Sequence, residues 1–213
     1  MMAVEVCLFR TVSYTGLKYV VSVSRKYIPL EWRAVTVTLV KPESWRTGSF
    51  VYGHLRKVLD GGAGGSYVMV VNRPLVEYLG LGERGGLVWL RIVEYTDNPP
   101  PPPPKPYVRR RFSVSFNGST YFFTVSQGVY RALREYSPPG SGENLLVQVW
   151  SRGRTLSFIG KPVQVKTAAG NYTYYKVKLP TSTMPDLEEI VKAEGGVLDI
   201  RVELTTAQEE VNG

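Results

Sequence analysis

Six consecutive prolines, Pro99 to Pro104, followed by Lys105 and Pro106, interrupt the chain near its middle. Proline has no N–H to give to a sheet, and its ring blocks a continuing helix. The run therefore predicts polyproline II, rising about 3.1 Å per residue, and so a semi-rigid spacer of about 25 Å. A ligand for a proline-binding module is the alternative. Domain-sized segments on both sides favour the spacer. The expected organisation is a first domain over 1–98, a linker over 99–106, a second domain over 107–207 and a tail over 208–213.

On both sides of the prolines, apolar residues come in short runs rich in valine and tyrosine, which favours strands over helices. Ser66-Tyr-Val-Met-Val-Val leads into Asn72-Arg-Pro74. A short helix over 75–81 is expected there, stopped at Gly80 or Gly82, with a closing strand over 86–95. The same order returns upstream: a strand over 17–29 ending at Pro29, one turn over 30–33, and a strand over 34–40. Downstream it returns twice, as strand 121–125, helix 128–136 and strand 144–150, then as strand 171–179, helix 184–193 and strand 197–204. Each is preceded by one more β-run, at 4–15, 49–59, 109–117 and 155–166. Four ββαβ units thus account for nearly the whole chain. A unit of about 45 residues is too small to hold a core alone. Two units closing on each other would do so and would remove free sheet edges. The expected fold class is mainly β with short helices, arranged as two tandem pseudo-twofold barrels.

The stretch Val70-Val-Asn-Arg-Pro-Leu-Val-Glu-Tyr-Leu-Gly-Leu-Gly-Glu-Arg-Gly85, followed by a valine-rich strand, resembles the AbrB-type swapped-hairpin domain and its relatives, the double-psi and other cradle-loop barrels. The first unit keeps Tyr27-Ile28-Pro29 and Glu31. The third has Gln127-Gly128 in place of the proline, and the fourth keeps Leu179-Pro180. The resemblance implies the barrel fold. It also implies DNA binding, because AbrB-type proteins are dimeric regulators that present basic residues from the first two strands and their loops. Double-psi barrels also serve as adaptor domains, enzyme domains and polymerase cores, so fold alone does not select a function. Here four units are fused in one chain, whereas those regulators build one barrel from two.

The net charge of +8 is unevenly spread. Residues 99–180 hold 12 basic and 2 acidic side chains, a net of +10, whereas residues 181–213 hold 2 basic and 8 acidic, a net of −6. A concentrated positive field attracts polyanions or acidic protein surfaces.

Within this frame certain cations are candidates for nucleic-acid contact. Arg109, Arg110 and Arg111 open the second domain. If Phe112, Val114 and Phe116 face the core, Arg110 shares their side, while Arg109 and Arg111 face solvent. Planar guanidinium groups suit bidentate phosphate contact. Arg152 and Arg154 flank Gly153 in an expected hairpin turn. Lys176 and Lys178 alternate with Val177 and Leu179 and lie on the outer face with Tyr174, while Lys166 ends the neighbouring run. Basic residues interleaved with tyrosines can follow a backbone and stack on bases. In the family that the first two units resemble, the positions of Lys18, Arg25, Lys26 and Arg73 belong to the DNA-contacting part. For each group, ordinary solvation of a strand end, turn or sheet edge is the competing reading.

Catalytic signals are weak. One cysteine (Cys7) and one histidine (His54) cannot form a disulfide or a Cys/His zinc site. Cys7 lies in an apolar run and reads as core. Asp186, Glu188 and Glu189 open a helix, where negative charge is favourable anyway. Glu209 and Glu210 lie in the tail. The loop Gly61-Gly-Ala-Gly-Gly65 lacks the Gly-Lys-Ser/Thr ending of a phosphate loop and leads into a strand. No enzyme activity, cofactor or metal is expected. Met1 to Arg10 carry Glu5 and show no secretory signal, and no apolar stretch approaches the roughly 20 residues that span a bilayer. An intracellular (cytoplasmic) protein is expected. Scarce Asn (6) and Gln (4) beside abundant Arg and Glu suit a thermophilic source. The functional expectation is a double-stranded DNA binder in transcription regulation or chromosome organisation. The alternative is an interaction adaptor, or accessory subunit of a larger assembly, that docks on an acidic partner.

Overall fold

The structure is a computed structural model. It describes residues 5–29, 32, 34–41, 50–57, 65–151, 153–168, 170–182 and 185–206. Several sequence expectations fall elsewhere: Arg152, Glu209 and Glu210, most of the turn at 30–33, most of the loop at 61–65, Met184, and the side chain of His54. The chain forms two compact units, Met1–Pro106 and Tyr107–Gly213. Both are mainly β.

The first unit contains β1 (Glu5–Tyr14), β2 (Tyr19–Ser24), a 3-10 turn (Arg25–Tyr27), β3 (Val35–Val40), β4 (Phe50–Lys57), β5 (Ser66–Val71), α1 (Arg73–Tyr78) and β6 (Gly85–Glu94). Its strand pairs are all antiparallel. They run from β1 to β2, β5, β4, β3 and β6, and β6 pairs β1 again from Glu5↔Val93 to Ser13↔Gly85. Register sets the core. Leu8 faces Leu90 and Leu90 faces Leu39, while Val6 faces Ile92 and Ile92 faces Val37. All six are buried. Cys7, on the other face of β1, is also buried, as its apolar run implies. Gly85 has φ +91, and a Cβ there would sit 1.9 Å from the Val12 carbonyl oxygen, so β6 can open against β1 only with glycine.

The second unit contains β7 (Val108–Phe116), β8 (Tyr121–Ser126), α2 (Gln127–Tyr136), β9 (Ser141–Ser151), β10 (Arg154–Gly160), β11 (Pro162–Lys166), β12 (Thr173–Lys178), α3 (Leu187–Ala193) and β13 (Val197–Thr206). Again every pair is antiparallel. β7 pairs β8 and β13, β13 pairs β9, β9 pairs β10, β11 pairs β12, and β12 pairs β8.

Three local expectations change. The run at 155–166 is two strands broken at Lys161, and the halves pair different neighbours, β9 and β12. A Cβ on Gly160 would lie 2.6 Å from Val177 Cγ1 and 3.2 Å from Val147 Cγ2, so the missing side chain admits the bend. The strand expected to run to Pro29 ends at Ser24 and gives way to a 3-10 turn at Arg25–Tyr27. α1 starts earlier and stops sooner than 75–81. The Asn72 side chain accepts from the Leu75 N–H at 3.1 Å, Pro74 sits in its first turn, and Gly80 just past its end takes φ +61.

The proline run makes a hydrogen bond back to the first unit. Arg91 on β6 donates to the Pro101 carbonyl at 2.9 Å, and Pro106 is buried. Among the described residues no helix is long and apolar enough to cross a membrane.

Candidate nucleic-acid interface

The outer face of β8, β12 and β11 in the second unit gathers two of the expected cations, Lys176 and Lys178. Val177 and Phe123 are fully buried, so the alternating residues Tyr174, Lys176 and Lys178, and likewise Phe122, Thr124 and Ser126, point the other way. Directly opposed residues share a face. Lys178 stands across from Phe122, Lys176 across from Thr124 on one side and Val163 on the other, and Tyr174 across from Ser126 and Val165. The Lys176 ammonium lies 4.5 Å from the centre of the Phe122 ring, a cation–π contact. Tyr172, half-exposed, stacks on Tyr174 with ring centres 6.1 Å apart. Lys166 ends β11, exposed, but it opposes Thr173 and so belongs to the other face of the sheet.

The helix α2 does not cover this face. α2 packs on the other side of β12, where Tyr130 meets Tyr175 with ring centres 4.2 Å apart. The Tyr130 hydroxyl donates to the Glu143 carbonyl at 2.8 Å, and burial pushes its phenol up from the ordinary tyrosine value. The charge of the face is undiluted. Between Glu143 and Asp186 the chain has no Asp or Glu and six Lys or Arg. That gap covers β10 to β12 entirely, and β8 has no carboxylate either. Lys161, exposed between β10 and β11, adds a cation that the sequence reading did not single out. The acid-free gap would have marked it.

The arginines of β7 behave differently from expectation. Arg109 does not face solvent. It is 6% exposed, its Nη2 and Nε donate to the Asp199 carboxylate at 2.8 and 3.3 Å, and its guanidinium lies 3.8 Å from the Trp150 ring centre. β13 runs antiparallel beside β7 and brings the acidic end of the sequence against the basic start. Charges segregated along the chain are therefore partly paired in space. Arg110 shares the side of Phe112, as expected, with its guanidinium 4.3 Å from that ring centre. Arg111 is exposed and faces Asp199 in the register. Arg154 is exposed at the β9–β10 turn, where Gly153 takes φ +76.

In the first unit the four candidate cations separate. Tyr19 pairs Val71 and Ser24 pairs Ser66, so Lys18 and Arg73 meet at one end of the β2–β5 pair, while Arg25 and Lys26 lie at the other. Six strand residues place these ends about 20 Å apart. Lys18 and Arg73 line a groove of about 610 Å³, together with Leu17, Tyr19, Val70 and Arg84. Leu17 is 93% exposed at its rim. Arg73 is held by Glu77 at 3.0 Å, and that carboxylate raises its guanidinium further above the usual range. Lys26 lies 5.0 Å from the Tyr27 ring centre. Arg84 and Leu17 carry no spacing signal in the sequence, because the groove forms only when β1–β2 and the β5–α1 junction come together. Scanned against protein-family models, curated proteins and solved structures, the chain finds no match.

Proposed function

We propose that the protein binds nucleic acid through the outer face of β8, β12 and β11. The observation that carries this reading is a carboxylate-free sheet face on which Lys176 and Lys178 alternate with Tyr174 and lie against Phe122. Lysines supply the phosphate attraction, and rings supply surfaces that bases can cover. A role in transcription regulation or chromosome organisation is the proposed setting.

We further propose that each unit is a cradle-loop barrel made of two ββαβ repeats. The return of β6 to β1 supports a closed barrel in the first unit. With β10 and β11 counted as one bent strand, the second unit repeats the order of the first: β7, β8, β12, β11/β10, β9, β13. A helix or 3-10 turn follows the second and fifth strand of each unit.

Fluorescence anisotropy with labelled DNA at low salt tests the reading. Binding is expected, and K176E/K178E should weaken it about tenfold or more. No binding at low salt, or binding indifferent to that double substitution, would overturn it. The groove of the first unit favours a second reading, an interaction adaptor, because Leu17 and Val70 are exposed apolar side chains beside Lys18 and Arg84. A protein partner retained by the chain after nuclease treatment, and lost with L17E, would support that reading.

A further inference from the structure

We infer that the face of β8, β12 and β11 takes an unpaired strand rather than a duplex. The inference rests on the nucleic-acid reading above and names its substrate class.

A duplex is read by an element that enters a groove. The major groove is about 12 Å wide and admits a helix or a two-stranded ribbon. This face is three strands wide, with about 10 Å between the outer strand axes before any side chain is added, and β7 continues it past β8. It cannot enter. A face that stays outside a duplex meets phosphates alone, and its rings have nothing to stack on. The rings are nevertheless on this face. Phe122 and Tyr174 lie on neighbouring strands, four residues apart in register, hence about 13 Å apart. Lys176 stands between them, Lys178 stands beside Phe122, and Tyr172 extends the line beyond Tyr174. Rings and ammonium groups therefore alternate along one track: Lys178 with Phe122, then Lys176, then Tyr174 with Tyr172. Unpaired bases present π-faces to rings while the backbone stays within reach of lysines, which is how sequence-tolerant single-strand sites are built. Val163 and Val165 border the track on β11 with apolar surface.

The test uses the full chain and one labelled oligodeoxynucleotide of about 15 nucleotides, offered unpaired or annealed to its complement. Tighter binding of the unpaired strand is expected. Y174A should weaken that binding by about fivefold or more, and Y174F should restore it. Tyr174 is half-buried on an outer face, so thermal melts of both variants check that the fold is intact.

Equal or tighter duplex binding, insensitive to Y174A but weakened by K176E/K178E, overturns the inference and leaves the nucleic-acid reading standing. It would point to the two-stranded β11–β12 hairpin tip as the groove-entering element. Absence of binding to either probe at low salt overturns both.

Discussion

Arg109 shows how far a side chain's role depends on a partner distant in sequence. Its neighbours in the chain are cations, and strand alternation puts it on the side of β7 opposite Phe112, which the sequence reading takes for solvent. Asp199, ninety residues away, then takes both of its hydrogen bonds, and Trp150 covers the guanidinium plane. Nothing in the local sequence announces that carboxylate, because it arrives through the pairing of β13 with β7. The consequence separates Arg109 from Arg111. R109A should destabilise the protein by about 2 kcal/mol, since it removes a charge-assisted pair and leaves the mostly buried Asp199 carboxylate short of donors. R111Q, on an exposed side chain and without a like charge set against Asp199, should leave the denaturation midpoint nearly unchanged. Urea unfolding of the two variants checks this, and equal midpoints for R109A and wild type would remove Arg109 from the framework.

At the level of elements, strands were readable and their breaks were not. Alternation of valines with polar residues located all the principal strands, since a half-buried strand repeats every two residues. Pro74 likewise announces α1, because an N-terminal proline acts on its own helix, and the cap on Asn72 appears with it in the structure. The break at Lys161 was not read as one, although Gly160 and Pro162 flank it. Its cause lies in Val147 and Val177, which close over the glycine from β9 and β12. G160A should therefore cost about 1–3 kcal/mol by overpacking. Its denaturation midpoint should fall without a change in urea dependence, because the unfolded surface is the same. A variant as stable as wild type would mean that the valines yield freely. α3 is fixed in a more local way. Glu188 and Lys192 pair one turn apart, which lowers the carboxyl and raises the ammonium from their usual values.

For the whole molecule the decisive quantity is where charge remains unpaired, not the net +8. The basic segment loses Arg109 to Asp199, and Arg134 pairs Glu143 at 3.2 Å. Lys161, Lys166, Lys176 and Lys178 have no ion-pair partner among the described residues, and all belong to the β11–β12 region. If Lys161, Lys176 and Lys178 meet phosphates of an unpaired strand, about 0.7 counterion is released per contact, and the slope of log affinity against log salt should be about −2. Engagement of all twelve cations in 99–180 would instead give a slope near −8. Anisotropy titrations across a salt series distinguish the two. K176E/K178E should flatten the slope by about 1.4, the share of two contacts, while R111E should leave it as it is. A slope near −8, or one that R111E flattens as much as the lysine pair does, would move the binding surface to β7 and to the arginines that the sequence brought forward first.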